Sequence, residues 1–230
     1  MKRKIRAPFF CVNPKSYLYG NESIALAIKA DELAKKYDLD IFFTGKEVDL
    51  REIKRNTSNI IVTAQNMDGI EPERAMGGVL PAALIEAGVE ATFLNHNECQ
   101  RTFNELSMSL LKANKYDILS IVCASTLTDV KALAAFEPDV MICELNELIG
   151  TGKVADKEYL INSTKQVKAI SKNTLVLQAA GISTPEDVYN VFKYGGDGTG
   201  ATSGIVCQPD PVKAMIAMIE AVAKAREDFF

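Results

Sequence analysis

Two rhythms of apolar and polar positions alternate along the chain. Short runs rich in β-branched and aromatic residues recur, each followed by a longer stretch whose apolar residues return at helical spacing. The runs 9-FFCVN-13, 40-DIFFTG-45, 60-IIVTAQ-65, 91-ATFLN-95, 117-DILSIVC-123, 139-DVMICE-144, 174-TLVLQA-179 and 198-GTGATS-203 predict eight strands. Their spacing, about 20 to 35 residues, is one strand plus one crossover. Between them, 23-SIALAIKADELAKKY-37 places Leu26, Ala30, Leu33 and Tyr37 on one face, as an amphipathic surface helix does. In 184-TPEDVYNVFKYGG-196, Thr184 suits an N-cap, Pro185 the first helical position, and Glu186 with Asp187 the positive helix end. Gly195 and Gly196 stop that helix. The last helix, 211-PVKAMIAMIEAVAKAR-226, carries Val212, Met215, Ile219 and Val222 along its apolar stripe.

Several strands are nearly continuous apolar runs, the mark of parallel strands buried on both faces. Strict alternation of strand and helix selects an α/β fold, either a doubly wound open sheet or a closed (β/α)8 barrel. Eight units in 230 residues favour closure, close to the roughly 250 residues typical of such barrels. No linker or composition shift divides the chain, so residues 1-230 read as one barrel domain.

Composition removes several function classes. With 26 basic and 30 acidic residues the net charge is −4, which argues against a nucleic-acid surface; the basic start 2-KRKIR-6 is too short to overturn that. No run is long enough to span a bilayer, and 9-FFCV-12 is too short for a signal peptide's apolar region. Five widely spaced cysteines without a C-x-x-C pair read as reduced thiols of a cytoplasmic protein. One histidine and no cysteine cluster leave little from which to build a zinc or iron site, so no metal or cofactor is expected.

In both architectures chemistry sits at the carboxyl ends of the strands. That rule collects Asn13 and Lys15 after the first strand, Gln65 and Asn66 after the third, and Asn95, His96 and Glu98 after the fourth. Glu144 ends the sixth, 180-AGIS-183 follows the seventh, and 202-TSG-204 ends the eighth. A carboxylate, an imidazole and an ammonium on one rim suggest proton transfer on an anionic substrate. Glu144 would take a proton from the carbon beside a carbonyl, His96 would hydrogen-bond that carbonyl oxygen, and Lys15 would supply fixed positive charge. Backbone N–H groups at 149-IGTG-152, 180-AGIS-183 and 203-SG-204 offer a phosphate site, although none fits a nucleotide fingerprint. Taken singly, His96 reads more often as a satisfied structural group and Glu144 as an ion-pair partner for Lys15. Their joint placement shifts the balance.

At 144-ELNELIGTGKVA-155 the sequence resembles the lid of the triosephosphate isomerase family, in which the base is followed by I-G-T-G and a K-x-A hinge. The resemblance extends to 13-NPK-15, 65-QN-66 and 95-NHNE-98. It continues in 181-GISTPEDV-188 and 195-GGDGTGATSGIVCQPDP-211, which are similar to the shorter, archaeal-type members. The resemblance implies a TIM barrel that interconverts dihydroxyacetone phosphate and glyceraldehyde 3-phosphate. It makes Glu144 the base, His96 the neutral electrophile and Lys15 the electrostatic residue, with Asn13 beside them. Gly150, Gly181, Ser203 and Gly204 would hold the phosphate by their backbone N–H groups. The lid 145–155 would close over it, excluding water and protecting the enediol phosphate. A homodimer or homotetramer is also implied.

Departures cluster around substrate and lid. Leu145 stands where the family has proline, Asn97 where serine is common, and 99-CQ-100 replaces a basic pair. The strand 198-GTGATS-203 is small and polar where a branched apolar run is expected, which should weaken the core and widen or repolarise the pocket. Another short sugar phosphate, such as a tetrulose phosphate, is therefore the main alternative substrate. A non-catalytic phosphate-binding barrel is the more distant one. Within the fourth strand, Phe93 and Leu94 are both expected in the packed barrel.

Overall fold

The computed structural model describes residues 1–144, 156–179 and 181–230. Eight parallel strands close on themselves in chain order, β1 pairing with both β2 and β8. They are β1 (Phe9–Val12), β2 (Ile41–Gly45), β3 (Ile61–Ala64), β4 (Ala91–Leu94), β5 (Leu119–Ala124), β6 (Val140–Cys143), β7 (Leu175–Gln178) and β8 (Gly198–Ala201). Each lies inside or within a residue of its predicted run. Among the described residues the helices are α1 (Gly20–Tyr37), α2 (Leu50–Asn56), α3 (Pro81–Glu86), α4 (Phe103–Lys115), α5 (Leu127–Ala134), α6 (Lys157–Ile170), α7 (Pro185–Lys193), α8 (Ser203–Val206) and α9 (Pro211–Phe229).

Side chains alternate between two cores, because successive residues of a strand point to opposite faces of the sheet. Phe9, Cys11, Phe42, Ile61, Phe93, Ile121, Cys123, Ile142 and Leu177 fill the barrel interior. Phe10, Val12, Ile41, Phe43, Val62 and Leu94 face outward onto the helices. Phe93 and Leu94 therefore divide between the interior and the helix layer, correcting the expectation that both enter the barrel.

Strand β8 corrects the sequence reading in a second way. A side chain at Gly198 would meet the Phe9 ring at 2.2 Å, and one at Gly200 would meet the Cys11 carbonyl oxygen at 2.6 Å. The bare positions do not weaken the core; they admit the Phe9 ring, which packs edge-on against Phe42 at 5.4 Å between centroids. The outward Thr199 is fully buried, and its hydroxyl donates to the Gln178 carbonyl at 2.7 Å. The strand ends at Ala201, and Ser203 already belongs to the single turn of α8, which the sequence pattern did not predict.

Helix ends follow local chemistry. Thr184 caps α7, its hydroxyl accepting from Asp187 N while Asp187 reaches back to Thr184 N; Pro185 is the first helical residue. Gly195 follows at φ +91°, where a side chain would be strained.

The basic start 2-KRKIR-6 is used at the barrel floor. Lys2 pairs with Asp139 at 2.7 Å, Arg3 with Asp40 at 3.1 Å and with Glu90 at 3.4 Å, and Arg6 with Asp38 at 3.0 Å. Asp40 is only 2% exposed and depends on these cations, while Ile5 packs against the interior cluster.

Candidate active site

The carboxyl ends of the strands surround a cavity of about 270 Å³ lined by Asn13, Lys15, His96, Glu98, Glu144, Gly181, Thr202 and Ser203. Its floor is apolar, formed by Cys11, Phe93, Ile142, Leu177 and Gly200. The strand-end rule thus brings six of the eight candidate residues to one cavity. Gly204 lies just behind the wall, where a side chain would meet the Ile182 carbonyl oxygen at 2.6 Å, so its absence lets the turn after β8 press against the turn after β7. Gly150 and the lid 145–155 lie outside the described residues.

Lys15 sits in a conformation that lysine seldom adopts, φ +48°. Two amides hold it there. Asn13 Oδ1 accepts from Lys15 N at 2.9 Å, and Gln65 Nε2 donates to Lys15 O at 2.7 Å. Lys46 Nζ donates in turn to Gln65 Oε1 at 3.2 Å. Asn13 therefore shapes the backbone that aims Lys15, and strain at that point is sustained because its surroundings over-determine it. The Lys15 ammonium pairs with Glu98 at 2.8 Å, so Lys15 takes Glu98, and not Glu144, as its partner.

His96 follows β4 and opens the 3-10 turn Asn97–Cys99. Its Nδ1 accepts from Glu98 N at 3.1 Å. A backbone N–H can only donate, so Nδ1 carries no proton and the neutral ring holds its hydrogen on Nε2. Burial lowers the imidazole pKa from 6.5, the nearby Lys15 charge lowers it further, and Glu98 opposes both. The ring is thus a neutral hydrogen-bond donor.

Glu144 stands one residue beyond β6, its N–H donating to Ala124 O at 3.0 Å. Burial raises its pKa above 4.5, Glu98 adds to the rise, and Lys15 opposes it. A carboxylate moved in that direction is a stronger base when ionised. On the wall that follows β8, Thr202 precedes the first turn of α8, whose leading N–H groups have no carbonyl partner within the helix. Beside it Gly181 takes φ +75°. The sequence reading placed Gln65 and Glu98 on the rim and gave neither a role. Their partners, 50 and 83 residues distant, carry no local signal.

Residues 8–218 match the sequence model of a family described as triosephosphate isomerase. Among similar proteins, one from Methanopyrus kandleri named triosephosphate isomerase is 34% identical over 94% of this chain and 98% of its own. Proteins of the same name from Methanothermus fervidus (32% identical, 92% of this chain and 97% of its own) and Sulfolobus acidocaldarius (30%, 97% and 98%) match comparably.

Proposed function

The chain belongs to the triosephosphate isomerase family, and from that membership we propose how its residues interconvert dihydroxyacetone phosphate and glyceraldehyde 3-phosphate. Glu144 removes a proton from the hydroxymethyl carbon of the ketose. The electron pair moves to form the enediolate, and His96 Nε2–H stabilises the oxygen on which negative charge develops. Once the hydroxyl proton has passed from the first oxygen to the second, returning the carbon proton to the neighbouring carbon gives the aldose and restores the carboxylate. Lys15 offsets the anionic charge from a fixed position. Gly181, Ser203 and Gly204 present backbone N–H groups toward the phosphate; Gly150, the fourth candidate for that site, lies outside the described residues. The reading rests above all on the His96 tautomer: with Nδ1 committed to Glu98 N–H, the only ring proton is on Nε2, in a cavity that Glu144 shares.

A coupled assay across three- and four-carbon ketose phosphates tests the substrate. Efficient turnover of the triose phosphates is expected; efficient tetrulose phosphate turnover with only trace triose activity would sink the assignment. Glu144→Gln tests the base: turnover should fall by orders of magnitude while a phosphorylated inhibitor still binds, and unchanged turnover would remove Glu144 from that role.

We also propose a cytoplasmic, single-domain barrel that works as a homodimer or homotetramer. All five cysteines are unpaired, which suits a reducing compartment. Among the described residues no helix is long and apolar enough to cross a membrane. Met76, Val48, Tyr17 and Tyr19 are exposed on the loops after the first three strands, apolar surface that a second copy would cover.

A further inference from the structure

The last residues of β5 bond to both segments that carry the reacting groups. Cys123 O accepts from Asn95 Nδ2 at 3.1 Å, and the next carbonyl, Ala124 O, accepts from Glu144 N at 3.0 Å. Asn95 is the residue before His96. Its backbone is left-handed, φ +60°, a conformation that asparagine tolerates better than other side chains. Its second amide atom, Oδ1, accepts from Arg101 N at 3.1 Å, closing the loop 96–100 on itself. Arg101 is anchored in turn by Asp68 at 2.7 Å, and Asp68 also accepts from Val79 N. Both ends of the Asn95 side-chain amide are therefore engaged, one on β5 and one on the loop from which His96 projects.

We propose that Asn95 is a positioning residue for the isomerisation: through Cys123 its amide fixes the His96 segment to the strand that also carries the Glu144 backbone, and so sets base and electrophile at one separation. Strand β5 sends no side chain into the mouth cavity; it acts as a template through two consecutive carbonyls. Misplacing a reacting group by about 1 Å costs on the order of 100-fold in rate, so a template of this kind acts on kcat and leaves substrate binding nearly alone. The inference rests on His96 being the electrophile.

The test uses Asn95→Gly, which keeps the left-handed backbone and removes both side-chain bonds. The histidine is unique in the chain, so the 15N signals of labelled histidine report the His96 tautomer without ambiguity. The wild-type protein should show a single Nε2–H form. In Asn95→Gly kcat should fall roughly 10- to 100-fold with KM changed less than about threefold, and the imidazole signals should report a mixture of tautomers. If that variant does not fold, Asn95→Asp carries the test, since it keeps the acceptor for Arg101 N and loses the donor to Cys123. A folded variant that retains wild-type kcat, loses binding instead of turnover, or keeps the single tautomer while losing rate overturns the proposal. The tautomer is read in substrate-free protein. A failed Glu144→Gln result would therefore be recognised separately.

Discussion

Replacing Gly198 by alanine tests the reason offered for a strand almost without side chains. The added Cβ would lie 2.2, 2.3 and 2.6 Å from three atoms of the Phe9 ring, where ordinary contact is about 3.5–4.0 Å. The ring has to withdraw by roughly 1 Å or more, and Phe42 already packs against it. Overpacking of this kind costs about 1–3 kcal/mol, and the clash with rigid ring atoms belongs at the upper end. Against it stands a gain of about 0.4–1 kcal/mol, because alanine has less freedom than glycine in the unfolded chain. The net is a loss of about 2 kcal/mol, which for a domain of this size lowers Tm by roughly 4–8 °C. Thermal unfolding followed by circular dichroism measures it. Neither Phe9 nor Gly198 lines the mouth cavity, so kcat and KM should stay within about twofold. The double variant Phe9→Leu/Gly198→Ala should lose less than the two single losses together, since the smaller side chain vacates the disputed space. An unchanged or raised Tm in Gly198→Ala would refute the reasoning, as would strict additivity in the double variant.

Three further outcomes follow from the charges. Because the folded-state pKa of Glu144 lies above 4.5, ionising it costs stability that is absent below the unfolded pKa and complete above the folded one; Glu144→Gln should therefore raise Tm at neutral pH and leave it unchanged near pH 4. The folded-state pKa of His96 lies below 6.5, so a 15N titration should give a midpoint under that value and stability should decline as pH falls from 6.5 toward it; a midpoint above 6.5 would contradict the neutral electrophile. Glu71 hydrogen-bonds Lys112, Lys115 and Tyr116, pairings that bring its pKa down to about 2 and tie the loop after β3 to α4. Glu71→Ala should speed tryptic cleavage after the exposed Arg74, and an unchanged cleavage rate would show that the loop is held by other means.

Strands were legible in the sequence because parallel strands buried on both faces leave runs of β-branched and aromatic residues that nothing on the surface can imitate. The rim residues were legible for a related reason: once strand ends are placed, topology alone gathers Lys15, His96 and Glu144. What escaped was whatever depended on a distant partner. The run GTGATS looked like a weak strand because propensity is local, whereas Phe9 supplies the missing volume from the other end of the chain. Helix α8 is four residues long, too short to show a period. Asn95 was gathered at the rim without a role of its own, since nothing near it in sequence announces that Cys123 O and Arg101 N await its two amide atoms.

The ionic arm beneath the barrel works like a hoop around staves. Lys2, Arg3 and Arg6 draw together Asp38 and Asp40 before β2, Glu90 before β4 and Asp139 before β6, all away from the seam where β7, β8 and β1 meet. That seam is the one joined by a nearly bare strand. The staves bound in this way include those bearing His96 and Glu144. The end of the barrel opposite the cavity is thus tied by charge, so that the strand ends at the mouth are left free for chemistry.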